Sequence, residues 1–163
     1  MTENKIIIYT DGSSRGNPGP GGYGVVMILA GTAYKKELSQ GFRKTTNNRM
    51  ELMAVIVGLE QINKPDQDVL VVSDSKYVVD AINLKWLIGW QKKQFKDVKN
   101  PDLWKRFLNV YRNHQVTFQW IKGHNNHPIN ERCDELAVNA AMSNKLLIDE
   151  GYEIVKNQNE GFF

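Results

Sequence analysis

Four carboxylates stand where a carboxylate is costly unless it is used. Asp11 closes the apolar run IIIYTD, and Asp74 closes a second run, VLVVSD. Glu51 and Asp134 each fall near the start of a stretch with helical spacing. An ionised carboxylate at the end of a buried strand loses solvation, and several together repel, so the pattern calls for a neutralising cation. Oxygen donors favour Mg²⁺ or Mn²⁺ over zinc, and the single Cys133 leaves any zinc set built on His124 and His127 incomplete. Two such ions about 3.5–4 Å apart can activate a water on one side of a phosphodiester and stabilise the leaving oxygen on the other. Taken singly, the acids have plainer uses. Asp11 could cap a glycine loop, Asp74 could end a turn, and Glu51 and Asp134 could sit in the first turns of helices for the macrodipole. Their joint placement is what favours metal ligation.

The elements that must position these acids follow from periodicity. Ile6 to Asp11 reads as a central strand covered on both faces. After the loop GSSRGNPGPG comes a second strand, Gly22 to Leu29, and then a more polar one, Tyr34 to Phe42, with the look of an edge. Met50, Met53, Ile56, Val57, Leu59 and Ile62 recur at helical spacing, with TTNN upstream as a source of N-caps. Val69 to Ser73 is a fourth strand, Ser75 caps a helix through Val78, Val79 and Ile82, and a short helix covers Trp86 to Trp90. Asn100 and Pro101 open the next helix, Val116 to Gly123 is the fifth strand, and a last helix runs from about Asn130 to Ser143. This order predicts an α/β fold with a mixed five-stranded sheet, three antiparallel strands then two parallel, flanked by helices. If the first and fourth strands run parallel, Asp11 and Asp74 emerge side by side at their carboxyl ends.

The chain of 163 residues is expected to form one domain, with a core over about 5–143 and a tail from 144 to 163. No run approaches the ~18 apolar residues of a membrane span, and the polar opening MTENK is no secretory signal, so a cytoplasmic protein is expected. The net charge is only +3, but between Lys85 and Arg106 seven basic side chains face two acidic ones. Trp86, Trp90 and Trp104 lie among them. Lysines interleaved with aromatic rings suit a polyanion, with phosphates neutralised and sugars or bases laid on flat side chains. On charge alone, a solvated lysine face over core tryptophans is the favoured explanation, and other features must tip the balance.

The blocks YTDGSSRGNPGPGGYG, TNNRMEL, SDSKYV and GHNNHPINERCDELA, in this order, resemble the four signature blocks of the type 1 ribonuclease H family, bacterial enzymes that cut RNA in RNA/DNA hybrids. The resemblance extends from Lys5 to Ala141. It implies the ribonuclease H-like fold and an endonuclease that leaves 5′-phosphate and 3′-hydroxyl ends by a two-metal-ion mechanism. Asp11, Glu51, Asp74 and Asp134 become the metal-binding acids, with two Mg²⁺ per site and Mn²⁺ as a substitute. His124 becomes an aid to proton transfer or product release, which suits a side chain titrating near neutrality that holds no metal. Ser14, Asn17, Asn47, Asn48 and Lys76 are placed near the substrate and Thr46 near a phosphate of the DNA strand. The basic segment becomes a handle in which Lys92, Lys93 and Lys96 grip the DNA strand and Trp86, Trp90 and Trp104 stack on sugars or pack. A monomer acting on a hybrid duplex, with no membrane partner, is the corresponding expectation.

Other classes fit less well. A noncatalytic hybrid-binding module has no need of all four acids. A transposase or integrase core of similar architecture calls for an added DNA-binding domain. A nucleotide-phosphate cradle at the glycine loop lacks the Lys-Ser/Thr pair and the helix that should follow.

Overall fold

A computed structural model describes residues 5–123 and 126–154 of the chain. In chain order the elements are β1 (Ile6–Ser14), β2 (Gly19–Leu29), β3 (Lys35–Thr45), α1 (Asn47–Glu60), β4 (Asp68–Ser73), α2 (Lys76–Asn83), α3 (Trp86–Lys92), α4 (Pro101–Tyr111), β5 (Gln115–Trp120), α5 (Pro128–Ala141) and β6 (Leu146–Leu147). The sheet order is β5-β4-β1-β2-β3-β6. Short loops make β1, β2 and β3 antiparallel neighbours, whereas β4 and β5 join in parallel after helical crossovers. The alternation expected from the sequence therefore holds, with one correction. The described residues form six strands, because Leu146 and Leu147 pair in parallel with Gly41 and Phe42 of β3. The strand read as an exposed edge is thus covered at Gly41 and Phe42, which pairs backbone groups there that an edge would leave open. A helical turn over 150–154 follows, so the described part of the tail is built onto the sheet edge.

Both faces of the sheet are covered, unequally. On one face Ile8, Val25 and Val71 meet Met50, Leu52, Val55 and Ile56 of α1 and Trp104 and Phe107 of α4 in one continuous core. Helix α1 is buried nearly all round because α4 lies across its back. The other face is thinner: Val26, Val72, Cys133, Ala137 and Ala141 are buried outside that core, where α5 lies on β1, β2 and β3. Burial pushes the Cys133 thiol up to about 12, so it is an inert packing group.

The helix starts show which cap residues are used. Thr46, Ser75 and His127 each accept a backbone N–H three residues on, from Arg49, Val78 and Asn130. Asn100 occupies the N-cap place of α4 ahead of Pro101 but makes no capping bond. Its side chain instead donates to the Tyr77 hydroxyl (3.0 Å) and accepts from Arg49 (3.2 Å). Trp104 donates to the same hydroxyl at 2.9 Å and is wholly buried, which corrects its placement among substrate residues. It packs edge-on against Trp90 and Phe107 and belongs to the core.

Arg49 is the one fully ringed charge in this region. Only 3% exposed, it donates to both oxygens of Asp149 and both oxygens of Asp102. Asp149 also accepts from Thr45 Oγ1 at 2.7 Å. The chain beyond β6 is thereby tied to the start of α1 and to the first turn of α4. Removing one partner of a buried pair leaves an uncompensated charge, so Arg49→Met should cost about 3–5 kcal/mol. Urea midpoints at constant m-value will measure it; a loss below about 1 kcal/mol would mean that Asp149 escapes to water instead.

Candidate active site

Two glycines decide how closely helices approach β1. Asp11 and Gly12 are consecutive on the strand, so their side-chain directions face opposite sides of the sheet. A Cβ on Gly12 would fall on the backbone of Met50 and Glu51. A Cβ on Gly24, the register partner of Asp11, would fall on the Cys133 carbonyl and lie 2.8 Å from the Leu136 Cβ. With neither present, α1 and α5 press against the sheet from its two faces at the level of Asp11. Thr10 pairs with Ser73 in the parallel β1–β4 ladder, so the next residue, Asp74, emerges at the same end.

The outcome is a trio. One carboxylate oxygen from each of Asp11, Glu51 and Asp74 lies within 4.8 Å of the others. Asp134 lines the same open cleft of about 460 Å³ but stands beside the trio and is not part of it. Glu51 lies beyond the first turn of α1, and Asp134 beyond that of α5, where Glu131 is the first-turn acid. This corrects the expected first-turn positions, because α5 starts earlier than Asn130, and it leaves the helix dipole accounting for neither acid.

Crowding shows in the electrostatics. Asp11 is 5% exposed, and burial, followed by the charges of Asp74 and Asp134, raises its carboxyl to about 8 despite a 2.9 Å bond from the Gly12 amide. Burial raises Glu51 well above the carboxylate range, with Asp11 and Asp74 adding to it. Glu51 Oε2 is buried with no hydrogen-bond partner among the described residues. A buried oxygen without a donor, inside a group of acids that cannot all ionise unaided, fits a divalent cation. Asp11, Glu51 and Asp74 would hold it, with Asp134 alongside.

The neutral residues expected to meet substrate gather at the rim. The Ser14 amide donates to Asn47 Oδ1 (2.8 Å), and the Asn47 amide donates to Asn17 Oδ1 (3.1 Å), joining the glycine loop to the start of α1. Asn47, Asn48 and Lys76 line the cleft. Thr46 is engaged as the α1 cap, yet its hydroxyl proton stays available to an acceptor. Farther away, Trp86 is 46% exposed, Trp90 is half-buried, and Lys92, Lys93 and Lys96 are exposed. His124 lies outside the described residues. His127 is a helix cap, and His114 accepts from the Gln67 amide. Tyr77 and Trp120 went unnoticed in the sequence. Tyr77 lines the cleft and anchors Asn100 and Trp104; Trp120 donates from its indole to the Asp74 carbonyl at 3.0 Å. Both read simply as apolar-face residues of a helix and a strand, and no spacing rule marks them.

The chain is similar to known proteins over most of its length. The family model described as RNase H matches residues 3–142. The ribonuclease H of Lachnoclostridium phytofermentans is 54% identical over 158 residues, covering 91% of this chain and 99% of that protein. Among solved structures, LC9-RNase H1, a type 1 RNase H with the type 2 active-site motif, superposes with a TM-score of 0.78 at 31% identity over 95% of this chain and 82% of that one. LC11-RNase H1 in complex with RNA/DNA hybrid gives a TM-score of 0.63 at 31% identity over 83% of this chain and 96% of that one. With its acids converging at the end of β1 and these similarities spanning nearly its whole length, the chain belongs to the ribonuclease H family.

Proposed function

We propose that this ribonuclease H hydrolyses the RNA strand of RNA/DNA hybrids endonucleolytically, leaving 5′-phosphate and 3′-hydroxyl ends, as one domain over 1–163. The observation that carries the reading is the trio of Asp11, Glu51 and Asp74, with its unpaired Glu51 oxygen, in a cleft rimmed by amides. A similar protein, LC11-RNase H1, is seen with such a hybrid. We assign Mg²⁺ to the site, two ions when substrate is bound, with Asp134 completing the set and Mn²⁺ as a substitute. Bound there, the ions supply water activation on one side of the phosphodiester and charge stabilisation on the other.

The remaining work falls to the chain. Burial and the neighbouring acids raise the Asp11 and Glu51 carboxyls above the ordinary carboxylate range, so cation loading, which needs them ionised, is favoured by higher pH. Ser14, Asn17, Asn47 and Asn48 present amides and a hydroxyl where the 2′-hydroxyl distinguishes RNA from DNA. Their bonds to one another hold that patch in register with Glu51. Thr46 and the exposed Lys92, Lys93 and Lys96 take phosphates of the DNA strand, and Trp86 and Trp90 offer faces to its sugars. His124 serves proton transfer or product release. Among the described residues no helix is long and apolar enough to cross a membrane, and we assign the enzyme to the cytoplasm as a monomer.

Cleavage of an end-labelled RNA strand, single or paired with RNA or DNA, tests the reading. Cutting should be confined to the hybrid, stop in EDTA, and fall by roughly 10³-fold or more in Asp11→Asn or Asp74→Asn, since several kcal/mol of charge stabilisation is lost. Near-normal cutting by either variant would remove that acid from the site. Because the folded protein holds the Asp11 proton more tightly than the unfolded chain does, this contribution to stability is complete below about pH 3.8 and is lost as pH rises through about 8. Thermal melts in EDTA should accordingly show Asp11→Asn gaining on the wild type as pH increases across that window, with no gap at its acid end; a parallel pair of curves would contradict it. Neutralising Lys92, Lys93 and Lys96 together should raise KM and flatten its dependence on salt; an unchanged slope would place the handle elsewhere.

A further inference from the structure

Lys76 is placed against local preference. It is the first residue of α2, where the helix dipole disfavours a cation. Among the described residues it forms no ion pair, although the cleft it lines carries Asp11, Glu51, Asp74 and Asp134. What holds it is a ring. The Lys76 ammonium lies 4.9 Å from the centre of the Trp120 ring. Trp120 ends β5 opposite Ser73, is 42% exposed, and is fixed by its indole bond to the Asp74 carbonyl.

We propose that Trp120 is a positioning residue that holds the Lys76 ammonium at the cleft rim as a fixed cation for a phosphodiester group of the bound hybrid. This rests on the reading of the cleft as the hybrid site. The acids that collect cations there also repel the incoming phosphate backbone, and a cation beside them offsets that repulsion where the strand must pass. A lysine free in solvent loses the freedom of its long side chain when it meets a phosphate. One already resting on an indole face loses less, and the ring keeps it from collapsing onto the carboxylates. The ammonium remains free to bind, because a ring contact occupies none of the directed donors that a salt bridge would use.

Two measurements on Lys76→Met, Trp120→Leu, Trp120→Phe and the double Lys76→Met/Trp120→Leu variant test the proposal. One is the Kd of a fluorescent hybrid in EDTA over a range of salt; the other is kcat and KM for cleavage in Mg²⁺, with thermal melts confirming the fold of each variant. Lys76→Met should weaken binding and lower the slope of log Kd against log salt by about 0.7–0.9, the value of one phosphate contact. Trp120→Leu should weaken binding about 2- to 5-fold, the value of an exposed ring–cation contact, and the double variant should bind no worse than Lys76→Met alone. Trp120→Phe, which keeps a ring but not the indole donor, should recover most of the loss. Additive losses, or a salt slope unaffected by Lys76→Met, would overturn the proposal. So would an equal fall in kcat for the Leu and Phe variants at unchanged Kd, since that assigns Trp120 to supporting Asp74 through its carbonyl. Wild-type protein that cuts hybrid alongside unaltered variants sinks this inference only, whereas wild-type protein that neither binds nor cuts hybrid overturns the reading of the cleft and the inference with it.

Discussion

Carboxylates crowded at the end of a sheet repel, and the structure is arranged to hold them there regardless. Asp11 cannot move because β1 is the middle of the sheet, bonded to β2 on one side and β4 on the other. Glu51 cannot retreat because α1 lies directly on Gly12 with its back under α4. Asp74 is carried to the same place by the parallel ladder. A raised Asp11 carboxyl and an unpaired Glu51 oxygen are the consequences. Folding therefore works against these acids so that a cation can bind with them, and a preformed cluster of this kind spends little further energy on reorganisation when the cation arrives.

Around that constraint the remaining parts act as braces. The Ser14–Asn47–Asn17 bonds make the glycine loop and the start of α1 one piece, so the amides at the cleft rim move with Glu51. Tyr77 ties the cleft wall to Asn100 and Trp104, and through Trp90 to the basic segment. Arg49, two residues before Glu51, is clamped by Asp102 and by Asp149 from the far end of the described chain. The segment around Asp149 thus braces the helix that presents Glu51 and Asn47, although among its described residues none lines the cleft.

The sequence by itself determined the element types, the mixed sheet and the identity of the four acids. Those signals are local: apolar runs of strand length, helical spacing from Met50 to Ile62, and charges placed where burial makes them expensive. It also located Ser75 as a cap and put the cap of α1 within TTNN, of which the structure uses Thr46. Only the tertiary structure decided that Asp134 stands beside a trio of acids, that Trp104 is core while Trp86 is exposed, that the tail adds a sixth strand, and that Trp120 bears the Lys76 ammonium. Each of these depends on which residues from distant segments meet across a face. Trp86 and Trp104 are the same residue type in the same basic stretch, and spacing cannot separate them, because their burial is set by α1 and Tyr77, which lie elsewhere in the chain.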